Sequence, residues 1–337
     1  MDPLLATFSA DALRAELRAR APRDRKTASR AAASGAGLPY QAGSTRSTEP
    51  GAVLAAELRR YRTPDLIVAL RALQKGIYGT DDRLDIYEVG DPKVSAGAAS
   101  VAAVFHAADV SDDGAGNATL RTRRFGTSKG LCVGERFVDQ PVGARCTAFL
   151  IEEDVVATAG HCVHEATLAA RRFVFGFRMR GPGDAVAVVP TTDVYAGKRI
   201  LGRRYEPGVL DWAVVQLDRK ASGRMPLSRR AEGEVGRERE LYMLGHPAGL
   251  PLKYAPGAVV RDNSQATLFV ANLDAFGGNS GSPVFDAETH TVEGILFRGD
   301  QDYVYDDESK CNRIAVCPAN GCDGELCTRI TLVTYAR

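Results

Sequence analysis

The chain changes its periodicity at Gly76. Upstream, apolar residues recur at helical spacing: "SADALRAELRARA" (9–21) sets Leu13 and Leu17 one turn apart behind Ser9 or Asp11 as caps. Residues 22–51 are rich in Ala, Arg, Ser and Gly without a period and read as a flexible linker. A second helical stretch follows in "AVLAAELRRYR", with Thr63 as a cap, Pro64 at a first helical position, and "DLIVALRALQK" stopped by Gly76. Downstream the texture is short β-type runs between turn residues: "RLDIYEV", "CTAFLI", "VVATA", "FVFGF", "VAVVP", "DWAVVQL", "ELYML", "TLFVANL", "TVEGILF" and "RITLVTY". So many short strands at this spacing predict an all-β barrel or sandwich over 76–337, preceded by a helical and flexible segment over 1–75. No internal repeat is visible residue by residue.

Composition narrows the partners. With 45% hydrophobic and 25% charged residues and a net charge of +1, the 337-residue chain gives no support to nucleic acid as its main partner. The balance hides an asymmetry: residues 1–75 carry a net +6 and 76–337 a net −5. Segments of opposite sign can dock on each other, or the basic one can serve an acidic partner protein. No apolar run approaches a membrane span, so no membrane partner is expected. The first twenty residues place acidic residues early and do not read as a signal peptide, which points to the cytoplasm. Seven cysteines (Cys132, Cys146, Cys162, Cys311, Cys317, Cys322 and Cys327) point instead to a secreted or periplasmic chain with three disulfides and a spare thiol. The compartment stays open.

The densest chemistry lies in "AFGGNSGSPVF", Ala275 to Phe285. A glycine-rich turn entering a strand is one reading. The other is a serine nucleophile, Ser280, on a tight turn whose backbone N–H groups face the oxyanion it creates. A serine needs a base. "VVATAGHCV" places His161 after a β-type run, and "GVLDWAVVQLD" places Asp211 at the mouth of an apolar strand. Singly, each has a structural reading: His106, His246 and His290 read as structural, His164 lies close to His161, and Asp218 reads as a turn cap. Together, the order His161, Asp211, Ser280 is one of three chain orders that produce a Ser-His-Asp triad.

With "TAGHC", "DWAVVQL" and "GGNSGSP", residues 77–337 resemble the trypsin/chymotrypsin-like serine peptidases, and most of all the bacterial branch that includes the glutamyl endopeptidases. The resemblance implies a double six-stranded antiparallel β-barrel and a serine endopeptidase acting on a protein or peptide substrate without cofactor or metal. Ser280 would attack, His161 shuttle the proton, Asp211 orient the imidazole, and the N–H groups of Gly278 and Ser280 hold the oxyanion. It also implies a disulfide between Cys146 and Cys162, against the alternative of two buried thiols. The cluster Cys311, Cys317, Cys322, Cys327 reads as two local disulfides, with zinc as the other reading and Cys132 left without an evident partner. Where the family supports the triad aspartate with a serine, "GILFRGD" places Phe297. In the specificity pocket, Asp274 stands six residues before Ser280, where trypsin-like members keep an acid for Arg or Lys. Leu296 replaces the histidine of the glutamyl enzymes, and Gly299 leaves the mouth open. Asp274 can also point away. "DQDYVYDDE" adds acids that suit a basic peptide, a solvated loop or a weak calcium site. Cleavage after Arg or Lys is expected. "LQKGIYGTDDRLDI" resembles the start of mature enzymes of this branch, so 1–75 is either a propeptide cut after Lys75 or an adaptor retained by a cytosolic effector; a binding scaffold is the third alternative.

Overall fold

The computed structural model describes residues 59–61, 77–298, 302–318 and 321–336. The helices expected within 1–75, apart from a turn at 59–61, and Gly299 lie outside the described residues. The folded unit spans Lys75–Arg337.

Two barrels of six strands make up this unit. The first consists of β1 (Val101–His106), β2 (Cys146–Glu152), β3 (Val155–Thr158), β4 (Arg171–Phe175), β5 (Val194–Glu206) and β6 (Leu210–Leu217). These close antiparallel in the order β1-β2-β3-β6-β5-β4 and back to β1. The second consists of β7 (Glu240–Gly245), β8 (Lys253–Asp262), β9 (Leu268–Ala271), β10 (Pro283–Asp286), β11 (Val292–Arg298) and β12 (Glu325–Arg329). Its order is β7-β8-β9-β12-β11-β10 and back to β7. One topology thus occurs twice. The double barrel expected from the resemblance is the fold observed.

The apolar pattern follows from three layers. Ala148, Leu150, Val156, Phe173, Ala213 and Val215 fill the first barrel. Leu241, Met243, Val260, Phe269, Val284 and Leu296 fill the second. Between the barrels lies a seam: Phe149, Ile151, Val155, Ala157, Trp212 and Val214 meet Tyr242, Leu244, Phe285, Val292 and Ile295. Strands β2, β3 and β6 are therefore buried on both faces, which makes their sequences continuously apolar where a one-sided strand would alternate. At roughly 25 cal/mol per Å² of apolar surface, the seam is a main source of stability, not a loose contact between domains.

Some expectations shift. "RITLVTY" is not a strand: Arg329 ends β12, and Ile330–Leu332 is a 3-10 turn that sends Ile330 and Val333 into the seam. The barrel strands β1, β5, β8 and β12 stand outside the runs picked from the pattern. β1 is alanine-rich and wholly apolar until its last residue, β5 is largely exposed, and β8 contains Pro256 and Gly257. Cys146–Cys162 forms as expected. The cysteine cluster does not form two local bridges. Cys317 pairs with Cys322, but Cys311 pairs with Cys132 across 179 residues, and Cys327 is a buried free thiol on β12. Cys327 points into the second barrel core, where a partner for it has no room.

The start of the domain is threaded into its body. Ile77–Tyr78 runs parallel to Val316–Cys317. Arg83 is fully buried, its guanidinium bonded to Asp81 at 2.7 and 2.8 Å and lying 4.3 Å over the ring of Phe276. Phe276 stands four residues before Ser280, so this packing fixes the base of the serine turn.

Candidate active site

His161 and Asp211 come from the first barrel, at the end of β3 and the start of β6. The imidazole Nδ1–H donates to Asp211 Oδ2 at 2.6 Å, and the His161 backbone N–H donates to Oδ1 at 3.0 Å. Both carboxylate oxygens thus serve one residue, which fixes the ring's tautomer and leaves Nε2 as the acceptor nitrogen. The Asp211 side chain is 4% exposed and that of His161 35%, so the carboxylate is inside and the imidazole reaches solvent. Gly160 permits this approach: a Cβ there would stand 2.5 Å from the Arg204 carbonyl and 2.9 Å from Asp211 Oδ1. Arg203 Nε donates to the Gly160 and Val163 carbonyls at 2.7 and 2.9 Å, pinning the histidine loop from below.

Phe297 gives Asp211 no polar support, because it is buried among the apolar residues of the first barrel core. The support comes from Thr328 on β12, which sequence reasoning missed. The Asp211 N–H donates to Thr328 Oγ1, and that hydroxyl donates back to the Asp211 carbonyl, each at 3.2 Å. A backbone contact of this kind leaves no motif at the aspartate.

Ser280 enters from the second barrel, on the turn before β10. The turn is closed by Asn279 N–H to the Phe276 carbonyl (2.9 Å), Ser282 N–H to Asn279 (2.8 Å) and Gly281 N–H to Leu296 (2.7 Å). Across the seam, Thr147 N–H donates to the Ser280 carbonyl at 2.9 Å, tying the serine to the barrel that carries the histidine. Gly281, at φ 91°, passes so close that a Cβ would fall 2.0 Å from the Thr147 carbonyl. Gly278 has φ 102° and fits against the His246 carbonyl. Among the described residues, neither the Gly278 nor the Ser280 N–H donates to a protein acceptor. Asn279 is fully buried, its Oδ1 accepting from the Ser282 hydroxyl at 3.5 Å.

His246, His106 and His290 make structural contacts. His246 is buried beside Thr147, whose hydroxyl lies 3.1 Å from Nδ1 and 3.0 Å from the Gly278 carbonyl. Burial, and then the nearby Lys253 charge, push its imidazole down to about 3, so it stays neutral. His106 accepts from Ala108 N–H, and His290 meets the Tyr242 hydroxyl. Cys146, His161 and Cys162 bring their donor atoms close together, but both sulfurs are consumed by the disulfide and cannot ligate a metal.

Beside Ser280 opens a pocket of about 350 Å³, whose lining includes Phe276, Leu296, Arg298, Asp302 and Glu325. Asp274 is not in that lining. It is buried elsewhere, its Oδ1 accepting from Tyr78 N–H at 2.7 Å, and burial pushes its carboxyl up to about 7. The pocket's acids are Asp302 and Glu325. Asp302 accepts from Gly277 N–H at 2.9 and 3.1 Å, and burial pushes it up to about 6 against the pull of that donor, Lys129 and Arg83. Glu325 is 1% exposed on β12. Of the remaining acidic run, Asp306 is a turn residue held by Ser309 and Glu308 N–H groups and by Arg313.

Residues 146–295 match the family described as Trypsin-like peptidase domain. No curated protein is detectably similar in sequence. Among solved structures, the Vibrio cholerae VesB protease is similar at 14% identity and a TM-score of 0.45, over 76% of this chain and 65% of that one; the chain thus spans under two thirds of that protease. A Glu endopeptidase solved in complex with MPD is similar at 16% identity and a TM-score of 0.45, over 76% of this chain and 94% of that one. Rv3671c of M. tuberculosis H37Rv is similar at 15% identity and a TM-score of 0.40, over 75% and 90%. The match runs from β2 into β11 of the double barrel, so residues 146–295, which hold His161, Asp211 and Ser280, are similar to a trypsin-like peptidase domain.

Proposed function

We propose that the protein is a serine endopeptidase working through Ser280, His161 and Asp211, and that it cuts after Arg or Lys. The observation that carries the reading is the 2.6 Å His161–Asp211 pair, set across the barrel seam from a serine turn with two undonated N–H groups. Ser280 Oγ adds to the peptide carbonyl as its proton passes to His161 Nε2. The new oxyanion takes the Gly278 and Ser280 N–H groups, and the imidazolium is stabilised by Asp211. His161 then protonates the departing amine, leaving an acyl ester on Ser280. Water attacks that ester with His161 again as base, which releases the acid and restores the hydroxyl. Removing one oxyanion donor typically costs ~10²–10³ in rate, so Gly278 has a use beyond the turn.

The substrate's basic side chain enters the pocket beside Ser280, where Asp302 and Glu325 replace Asp274 as its partners. Asp302 must be ionised to hold a cation, so the preference depends on pH. As pH falls from about 8 to about 5, through a pKa of about 6, the carboxylate is lost, and the ratio of cleavage after Arg to cleavage after Gln is expected to fall about tenfold. Taking the ratio cancels any effect of pH on the bond-breaking step, which both peptides share. Asp302→Asn is expected to hold the ratio low and flat across that range. A library profile dominated by Glu or by large apolar residues before the cut bond overturns the specificity.

Segment 1–75 is read as a propeptide or an adaptor. Ile77 is the first residue seen threaded into the domain, so a cut after Lys75 spares the domain's first strand. Three disulfides fit an oxidising compartment. No described helix is long and apolar enough to cross a membrane.

A further inference from the structure

A second cleft lies against the serine turn and shares Gly277 with the pocket just described. It has a volume of about 430 Å³, with Gly277 and Gly278 in its wall and Arg121, Arg123, Lys129 and Arg145 around it. One carboxylate, Asp109, sits among them. It accepts from Arg121 Nε at 2.7 Å and lies 4.0 Å from Arg145, so one acid is shared by two guanidinium groups and the lining keeps an excess of positive charge. The Arg121 and Arg145 side chains are 72% and 65% exposed. The field extends beyond the cleft. Arg171, whose Nε donates to the Cys162 carbonyl beside His161, has its guanidinium pKa lowered by burial and then by Arg145.

We propose that this cleft binds acidic side chains in the first two positions after the cut bond, so that substrates are selected by charge on both sides of the cut. The proposal rests on the peptidase reading above and extends it to the leaving half of the substrate. The two cavities share Gly277 as a wall. A substrate carbonyl on the Gly278 and Ser280 N–H groups has its preceding side chain in the Asp302 pocket. An extended chain advances about 3.3 Å per residue, so the next one or two residues pass over Gly278 into the basic cleft. The cations there are mostly solvated, so each pair contributes little, but four of one sign around a concave wall add up in both steering and affinity.

The test uses three internally quenched peptides, identical up to an Arg and differing only after it: Glu-Asp, Gln-Asn or Lys-Arg. The wild type is expected to cleave them in the order acidic, neutral, basic. The acidic peptide should lead the neutral one about tenfold in kcat/KM at low salt and by much less in about 0.5 M NaCl, where screening is short-ranged. Arg123→Glu combined with Arg145→Glu should reverse the order, and continued uptake of the serine-directed label at Ser280 shows that the fold survives. Arg123→Gln with Arg145→Gln should flatten it. Cleavage without an acidic preference, or a preference that survives charge reversal, overturns this inference alone. No cleavage of any of the three, with no uptake of a serine-directed label at Ser280, overturns it together with the peptidase reading.

Discussion

Replacing Ser280 by alanine is expected to lower peptide hydrolysis by on the order of 10⁶ in kcat, down to what binding and the oxyanion donors sustain. The chemistry leaves no substitute, since a methyl side chain has no oxygen to form the ester and a water in its place must be activated from bulk. The fold should be untouched. Ser280 is tied to the first barrel through its backbone carbonyl, which accepts from Thr147 N–H, and its hydroxyl makes no hydrogen bond among the described residues. Steady-state rates together with a urea midpoint separate the two effects. A variant within tenfold of wild type contradicts the role given to Ser280, and a shifted midpoint assigns the loss to folding.

Asp211→Asn should cost on the order of 10⁴ in turnover, with little change in KM because the carboxylate does not touch the substrate. Two donors converge on the present carboxylate, the His161 N–H and its Nδ1–H. An amide offers only one acceptor oxygen and turns its NH₂ toward the ring. That favours the tautomer with hydrogen on Nε2, and such a ring cannot take the proton from Ser280. A variant that keeps most of its turnover would place the base elsewhere. Thr328→Val is the companion: it removes a hydroxyl that holds only the backbone of Asp211, so its smaller loss should be recovered by Thr328→Ser.

What could be read from the chain follows from where the physics is local. The serine turn was legible because Gly278 and Gly281 stand beside Ser280 in the chain, as Gly160 stands beside His161, although the atoms they must clear, on His246, Thr147 and Arg204, lie far along it. Strands β2, β3 and β6 announced themselves because both faces are buried, one in a barrel and one in the seam. β5 escaped because most of its residues face solvent, and β8 because Pro256 and Gly257 interrupt its pattern. The doubled topology is invisible residue by residue, since each barrel fills its interior with a different set of side chains. Partners set by long-range folding were out of reach. Cys311 finds Cys132 across 179 residues, Thr328 finds Asp211, and Asp302, not Asp274, lines the cavity beside Ser280. Asp274 instead satisfies Tyr78, a demand created only when the start of the domain threads into its body.

The most direct measurement is to treat the protein and its His161→Ala variant with a fluorophosphonate and map the adduct by peptide mass spectrometry. A single adduct on Ser280 is expected in the wild type, with its loss or slowing by orders of magnitude once the imidazole is gone. An adduct on another residue, or a Ser280 adduct that forms equally fast in His161→Ala, would contradict the triad.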